Sequence, residues 1–345
     1  MNNIAKLGSY AAGMVMLLTA GQALAQSSVQ LYGLIDVYAG AQRALGGQTA
    51  AAMNSGGMTT SYWGIRGTEA LGSGYSVLFE LEAFMRPAIG AGGRSATDPF
   101  FGRNAYVGFG TPYGQFLVGR NTTPYYISEL NFNSFGASFG FSPVIVQTYK
   151  GLLGQGVVGD NDWNNSVLYN ASVGDVTGSL IYGTANTPGH FGQNQWGGNL
   201  LYSHGPFGMT LAFQQVRYNE TAFDLTTEIP GFSKQTALFT AASYDLKVAK
   251  FTASYQRVAD TISTGDLTTQ SGQIGVSVPL GSGYALASYM FAKTAGGVDP
   301  IRVTYSLGYD YLLSKRTDVY AVWMNDRATG YSSALNAGIG IRTRF

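Results

Sequence analysis

From Ile301 to Asp310, apolar and polar positions alternate without a slip. Ile301, Val303, Tyr305, Leu307 and Tyr309 stand against Arg302, Thr304, Ser306, Gly308 and Asp310. A period of two marks a β-strand with unlike faces. Phe251, Ala253 and Tyr255 oppose Thr252, Ser254 and Gln256 in the same way. Val77, Phe79 and Leu81 oppose Ser76, Glu80 and Glu82, with Leu78 out of pattern. In the final segment Leu335, Ala337, Ile339, Ile341, Thr343 and Phe345 share one face, against Asn336, Gly338, Gly340, Arg342 and Arg344. Segments 235–245 and 284–294 are ambiguous. The pattern predicts strands near 28–39, 59–68, 75–86, 99–109, 115–122, 164–173, 176–185, 194–204, 208–219, 235–245, 248–260, 268–279, 284–294, 301–312, 317–327 and 334–345.

Short glycine-rich turns alternate with longer connections. Ala70-Leu71-Gly72-Ser73-Gly74, Gly205-Pro206-Phe207-Gly208 and Gly281-Ser282-Gly283 are too short for anything but antiparallel neighbours. One connection, 121–163, is far longer. It holds Phe132, Phe135, Phe139, Phe141, Val144, Ile145, Val146 and Tyr149, which disordered segments lack. A loop that apolar needs a surface to pack on.

Met1–Ala25 reads as a cleaved export leader: one charge at Lys6, an apolar stretch from Ala11 to Ala20, and Ala23-Leu24-Ala25 as an A-x-A site. It is too short for a spanning helix, and no other stretch approaches the roughly 20 apolar residues one needs. Losing Lys6 cancels the formal net charge of +1. Only 11% of residues are charged, against about a quarter in soluble domains, while 48 are Gly and 23 are Tyr. A membrane barrel needs few charges, because lipid covers its outer face and its polar groups turn inward. With no Cys, disulfides are absent, and closure of the hydrogen-bonded sheet must hold the chain. The neutral balance argues against nucleic acid as a partner. Phe345, ending an alternating strand, resembles the C-terminal signal of outer-membrane β-barrels.

Catalytic and cofactor signals are weak. Gly154-Gln155-Gly156-Val157-Val158-Gly159 matches G-x-G-x-x-G but lacks the βαβ context of a nucleotide site. Asp160-Asn161-Asp162-Trp163-Asn164 opens like a calcium loop, yet Asn165 stands for the required Gly and Ala171 for the bidentate acid. His190 and His204 adjoin no evident nucleophile or metal-ligand spacing. The sequence predicts no enzyme activity, cofactor or metal.

The chain resembles the Gram-negative trimeric porins, in particular their betaproteobacterial branch. The stretches that carry the resemblance are Val29-Gln30-Leu31-Tyr32-Gly33-Leu34-Ile35-Asp36, Trp63-Gly64-Ile65-Arg66-Gly67-Thr68-Glu69, Phe101-Gly102-Arg103-Asn104-Ala105-Tyr106-Val107-Gly108, Val118-Gly119-Arg120, Asn165-Ser166-Val167-Leu168-Tyr169 and Leu313-Ser314-Lys315-Arg316-Thr317. They follow the family's order along the chain. The resemblance implies an all-β, 16-stranded antiparallel transmembrane β-barrel over 26–345, with a long third loop (121–163) folded into the lumen. It implies a homotrimer in the outer membrane, in contact with lipid and lipopolysaccharide, that passes ions and small hydrophilic solutes by passive diffusion.

In that family a ladder of wall arginines typically faces acids on the loop. Arg66 and Arg103 fit the ladder, and strand parity independently turns Arg66 inward. Tyr106 facing outward would place Arg103 and Ala105 inward. Arg120 sits at the loop's root. Glu80, paired on one face with Glu82, is a lumen acid. Tyr62 stands where the family usually has Arg, and Asp162 where another Arg is common. Between Glu129 and Asp160 the loop has no acid. The expected pore-lining set is therefore Arg66, Arg103, Arg120, Tyr62, Glu80, Glu129, Asp160 and Asp162, with a weak transverse field. Two alternatives stay open for the aromatics of the loop: they line the constriction of a substrate-preferring channel, or they pack on the wall. An outer-membrane barrel enzyme and a plugged structural barrel are the remaining classes.

Overall fold

The computed structural model describes residues 28–150, 158–186, 192–217, 231–296 and 299–345. Met1–Ala25, His190 and most of the Gly154–Gly159 motif lie outside them.

The chain enters the wall through β1 (Ser28–Arg43), β3 (Tyr62–Gly72), β4 (Tyr75–Arg86), β6 (Ala105–Thr111) and β7 (Gly114–Thr122). It continues through β8 (Asp162–Val173), β9 (Val176–Thr184), β10 (Asn194–His204), β11 (Phe207–Val216), β12 (Phe232–Asp245) and β13 (Lys250–Ile262). The last strands are β14 (Leu267–Leu280), β15 (Gly283–Ala295), β16 (Ile301–Leu312), β17 (Thr317–Ala328) and β18 (Ala334–Arg344). Each pairs antiparallel with the next. β18 returns to β1, with Leu34 opposite Arg344 and Arg43 opposite Leu335. The result is a closed 16-stranded antiparallel barrel. Closure leaves no unpaired edge, which a hydrocarbon environment forbids. At the seam the Gly33 and Phe345 amides each donate to the other's carbonyl, at 3.2 and 3.1 Å. Gly33 has to be small here, because a Cβ would lie 2.5 Å from the Phe345 ring.

Two short strands escape the periodic reading. β2 (Ala50–Ser55) pairs with the upper half of β1, above the stretch that β1 shares with β3. β5 (Ala91–Gly92) forms a small ladder on the end of β4. They are too short for an alternation to stand out. Strand four also begins at Ala105 rather than near residue 99.

Burial follows the alternation. Val107, Leu200, Ile274 and Ile339 point outward and are exposed, whereas Gln214, Gln256, Thr304 and Arg302 point inward and are buried. This apolar-out, polar-in order is that of a lipid-facing barrel. Tyr106 corrects one expectation. It pairs with Glu80, which pairs with Arg66, so all three share the inward face, and Ala105 turns outward with Val107. Its ring joins an inward apolar cluster with Leu78, Leu117 and Leu168. A parity count starting from an outward Tyr106 therefore fails, although Arg103, in the preceding loop, still reaches inward.

The long connection contains helices α1 (Pro124–Asn131) and α2 (Pro143–Tyr149). Each starts with Pro in its first turn, where a missing N–H costs nothing. Thr123 caps α1 by accepting the Tyr126 amide at 3.3 Å. The apolar side chains rest on inward apolar patches of the wall. Tyr125, Phe132, Val144, Ile145 and Tyr149 pack with Ala212, Ala237, Phe239, Val258 and Met290. Phe135, Phe141 and Val146 pack with Tyr38, Leu286, Tyr320, Val322 and Met324. Polar contacts fix the register. Asn199 donates to the Pro124 carbonyl at 2.8 Å, Gln147 to Thr304 at 2.8 Å, and Ser138 to the Gly57 carbonyl at 2.6 Å. Those partners belong to β10, to β16 and to the β2–β3 connection, well separated around the ring, so the segment crosses the barrel interior.

Candidate functional site

Most of the expected pore-lining residues fall into two groups of interacting side chains. The first lies on β1, β3 and β4 and the loop before β6. Arg66 donates through Nε and Nη2 to Gln30 Oε1, at 3.2 and 2.9 Å, and its guanidinium lies 4.6 Å from the Tyr32 ring centre. Its side chain is exposed. Arg103 donates to Glu82 and sits 4.1 Å over the Tyr62 ring. A cation over a ring face is held by the ring quadrupole, so Tyr62 supports Arg103 from below. Glu82 also accepts from Tyr32 at 2.8 Å and from Asn104 at 2.8 Å. The other proton of the Asn104 amide goes to Glu80 at 3.0 Å.

The second group locks the root of the internal segment. Arg120 donates to Asp160 at 2.6 Å, to Asn164 at 2.7 Å and to the Gly102 carbonyl at 2.8 Å. Arg94 reaches the other oxygen of Asp160 at 3.0 Å and clasps Asp98 with two bonds, at 2.8 and 3.0 Å. Asp162 accepts from Thr122 at 2.6 Å and from Asn161 at 3.0 Å. Asp160 is thus engaged by two guanidinium groups, where a calcium reading would have left it for a metal. Among the described residues no three His, Cys, Asp or Glu are grouped to hold a metal ion.

Exposure divides the expected pore-lining residues. Arg66 is exposed, and Arg103, Tyr62 and Glu80 are half-buried. Arg120 is only 6% exposed, Asp160 4%, Asp162 1% and Glu129 0%. Glu129 lies between the helices and β13, accepting from Tyr149 at 2.7 Å, Thr148 at 2.9 Å and Gln256 at 2.9 Å. Burial pushes its carboxyl up to about 8, against the lowering effect of those three donors. Phe132, Phe135 and Phe141 are buried against the wall, and Phe139 keeps part of its surface free. The packing alternative therefore describes three of the four loop phenylalanines.

Sequence reasoning missed several partners. Arg94 and Asp98 lie in a loop without periodicity. Asp36, on β1, accepts the amides of Met58 and Thr59 at 2.8 Å each, that of Gly57 at 3.1 Å, and the Tyr320 phenol. Arg302 pairs with Asp326 at 2.8 Å, and Arg342 with Asp310 at 2.8 Å. Their inward parity was legible, but the strand register that joins them was not. His204 hydrogen-bonds Asp175 at 2.7 Å on exposed surface.

A closed barrel with an apolar exterior, a charged interior and an internal loop is the architecture of an outer-membrane β-barrel protein. The model of the Gram-negative porin family matches residues 11–331, and the chain belongs to that family. An outer membrane porin protein of Bordetella pertussis is 28% identical, over 94% of this chain and 96% of its own length. Outer membrane porin protein 32 of Delftia acidovorans is 27% identical, over 89% and 86%. Among solved structures, an anion-selective porin from Comamonas acidovorans superposes with a TM-score of 0.77 at 24% identity, covering 93% of this chain and all of that one. The trimer form of OmpT from Vibrio cholerae gives a TM-score of 0.67 at 14% identity, covering 92% and 99%. The protein is an outer-membrane porin, a passive diffusion channel.

Proposed function

We propose that solutes pass between the internal segment and the patch formed by Arg66, Tyr62, Arg103 and Glu80. We further propose that this passage is only weakly ion-selective and leans toward anions. One observation carries the reading: the acids of the segment do not face water. Glu129 is enclosed, and Asp160 is matched by Arg94 and Arg120. On the wall, Glu82 offsets Arg103, whereas Arg66 donates to a neutral amide. A pore reads the charge that lines it; Glu80, which accepts from the neutral Asn104 amide, opposes Arg66, so the patch is close to balanced, with the exposed Arg66 reaching further into water than the half-buried Glu80. The anion-selective title of the Comamonas porin is in keeping with this, although selectivity belongs to each protein's own lining. The test is the reversal potential of the purified channel across a tenfold salt gradient. The expected value is anion-sided and well short of the roughly 59 mV of ideal selectivity. Arg66→Ala should move it toward zero. A near-ideal potential, or one that Arg66→Ala leaves unchanged, would sink the reading.

The chain is also proposed to assemble as a homotrimer after cleavage of Met1–Ala25, with lipid and lipopolysaccharide covering the rest of its outer face. Small outward residues of β1, β17 and β18 support this, since Ala39, Ala41, Ala321 and Ala337 line a shallow outer hollow with Ile339 and Trp323. Cross-linking or mass measurement in mild detergent tests it, and a monomer under all such conditions would refute it.

A further inference from the structure

A cavity of about 430 Å³ lies at the long-loop end of the wall, between β1, β2, the end of β4 and the internal segment. Its lining combines Tyr38, Met85 and Phe139 with the cations Arg86, Arg94 and Lys150. Among the described residues no carboxylate lines it. Arg94 is committed to Asp98 and Asp160. Arg86 donates to the carbonyls of Gly92 and Gly93, neutral acceptors that leave its charge uncompensated. Lys150 has no carboxylate at ion-pair distance among the described residues, and its side chain keeps contact with solvent. Enclosure and the nearby Arg302 guanidinium pull its ammonium down to about 8, with Asp326 opposing, so at pH 7 it carries most of its charge.

We propose that this cavity binds aromatic carboxylates, with Arg86 and Lys150 holding the carboxylate and Tyr38, Phe139 and Met85 covering the ring. Charge-assisted hydrogen bonds favour an oxyanion between two uncompensated cations. Aromatic edges and a thioether favour a ring beside it. The volume is that of a small-molecule site. Acetate gains only the first set of contacts, and benzyl alcohol only the second. This deepens the anion-leaning channel reading and supplies a use for Phe139, the loop phenylalanine that keeps surface free.

The test measures benzoate in two ways on the purified protein: calorimetric binding in detergent, and reduction of chloride current in planar bilayers. Benzoate is expected to bind saturably, at least tenfold more tightly than acetate or benzyl alcohol. Arg86→Gln and Lys150→Gln should each weaken it tenfold or more. Should Arg86→Gln misfold, because its side chain holds the 92–93 turn, Lys150→Gln alone decides. Equal binding of benzoate and acetate, or a Lys150→Gln protein that binds benzoate as before, overturns the proposal. Normal conductance and selectivity without benzoate binding would remove the site and leave the channel reading intact. Benzoate binding with cation-sided currents would do the reverse.

Discussion

Tyr149 donates its phenol to the Glu129 carboxyl at 2.7 Å, and that bond ties α2 to α1. Gln256 of β13 donates to the same carboxyl at 2.9 Å, so one buried acid joins both helices to the wall. Its carboxyl is raised to about 8, well above the roughly 4.3 of an unfolded glutamate. The folded state therefore holds the proton more tightly. The associated stability is fully present below about pH 4 and is lost as pH rises through about 8. Single-channel current should grow noisier between pH 7 and 9 in the native protein, as the segment loosens. Glu129→Gln keeps a neutral amide in the same place and should flatten that dependence. Equal pH-dependence in both proteins would refute the assignment.

Removing one partner from a buried ion pair strands the other. Asp160→Ala would strand Arg120 while Arg94 keeps Asp98, whereas Arg120→Met leaves Asp160 with Arg94. Asp160→Ala should cost on the order of 3–5 kcal/mol at the root of the segment, and Arg120→Met clearly less. Protease cleavage within 121–163 of the folded barrel is the readout. Equal resistance in the two variants would contradict the shared role of Asp160.

Phe239 is wholly buried, beneath α1 and beside Tyr125, with ring centres 6.0 Å apart. Phe239→Ala should cost about 3–5 kcal/mol by the usual penalty for emptying a packed site. Most of it should fall on docking of the segment, because the strand hydrogen bonds of β12 remain. Conductance should become heterogeneous while the barrel's melting temperature moves little. A large drop in barrel melting with steady conductance would show that the ring supports the wall instead.

The Gly33–Phe345 seam carries two backbone bonds and one close packing contact. Truncation before Phe345 should lower the yield of assembled barrel before it alters the conductance of what does assemble. Gly33→Leu should act in the same direction, since the new side chain meets the Phe345 ring. Pulse-labelled assembly kinetics would measure both, and normal yield of both variants would count against a closing role for this contact.

The clean alternations, such as Ile301–Asp310 and Phe251–Gln256, gave strands at the expected places, because one face meets lipid and the other polar groups. Segments 235–245 and 284–294 were ambiguous for a reason now visible. Their inward faces carry Ala237, Phe239 and Ala241, and Leu286, Met290 and Ala292, which lie under the internal segment or beside it. A covered wall is apolar on both sides, so alternation fades where the loop docks. Tyr106 misled for a related reason, since its ring sits in an inward apolar cluster. Strand parity turns Arg66 to the face it shares with Glu80 and Tyr106. The burial of Glu129, Asp160 and Asp162 was not readable, because a carboxylate in a loop looks the same whether it meets water or a guanidinium.

The sequence by itself determined the barrel, its antiparallel order, its lipid-facing side and the presence of an internal loop. Those features follow from short-range periodicity and turn length, which the chain carries locally. The tertiary structure alone decided which interior charges remain free. Arg94 and Asp160 are 66 residues apart, and Tyr320 and Asp36 are 284 apart. Such partners meet only once the ring has closed and fixed its register. Electrostatic compensation depends on distances of a few ångströms, so the charge that a passing solute meets is a property of the closed fold.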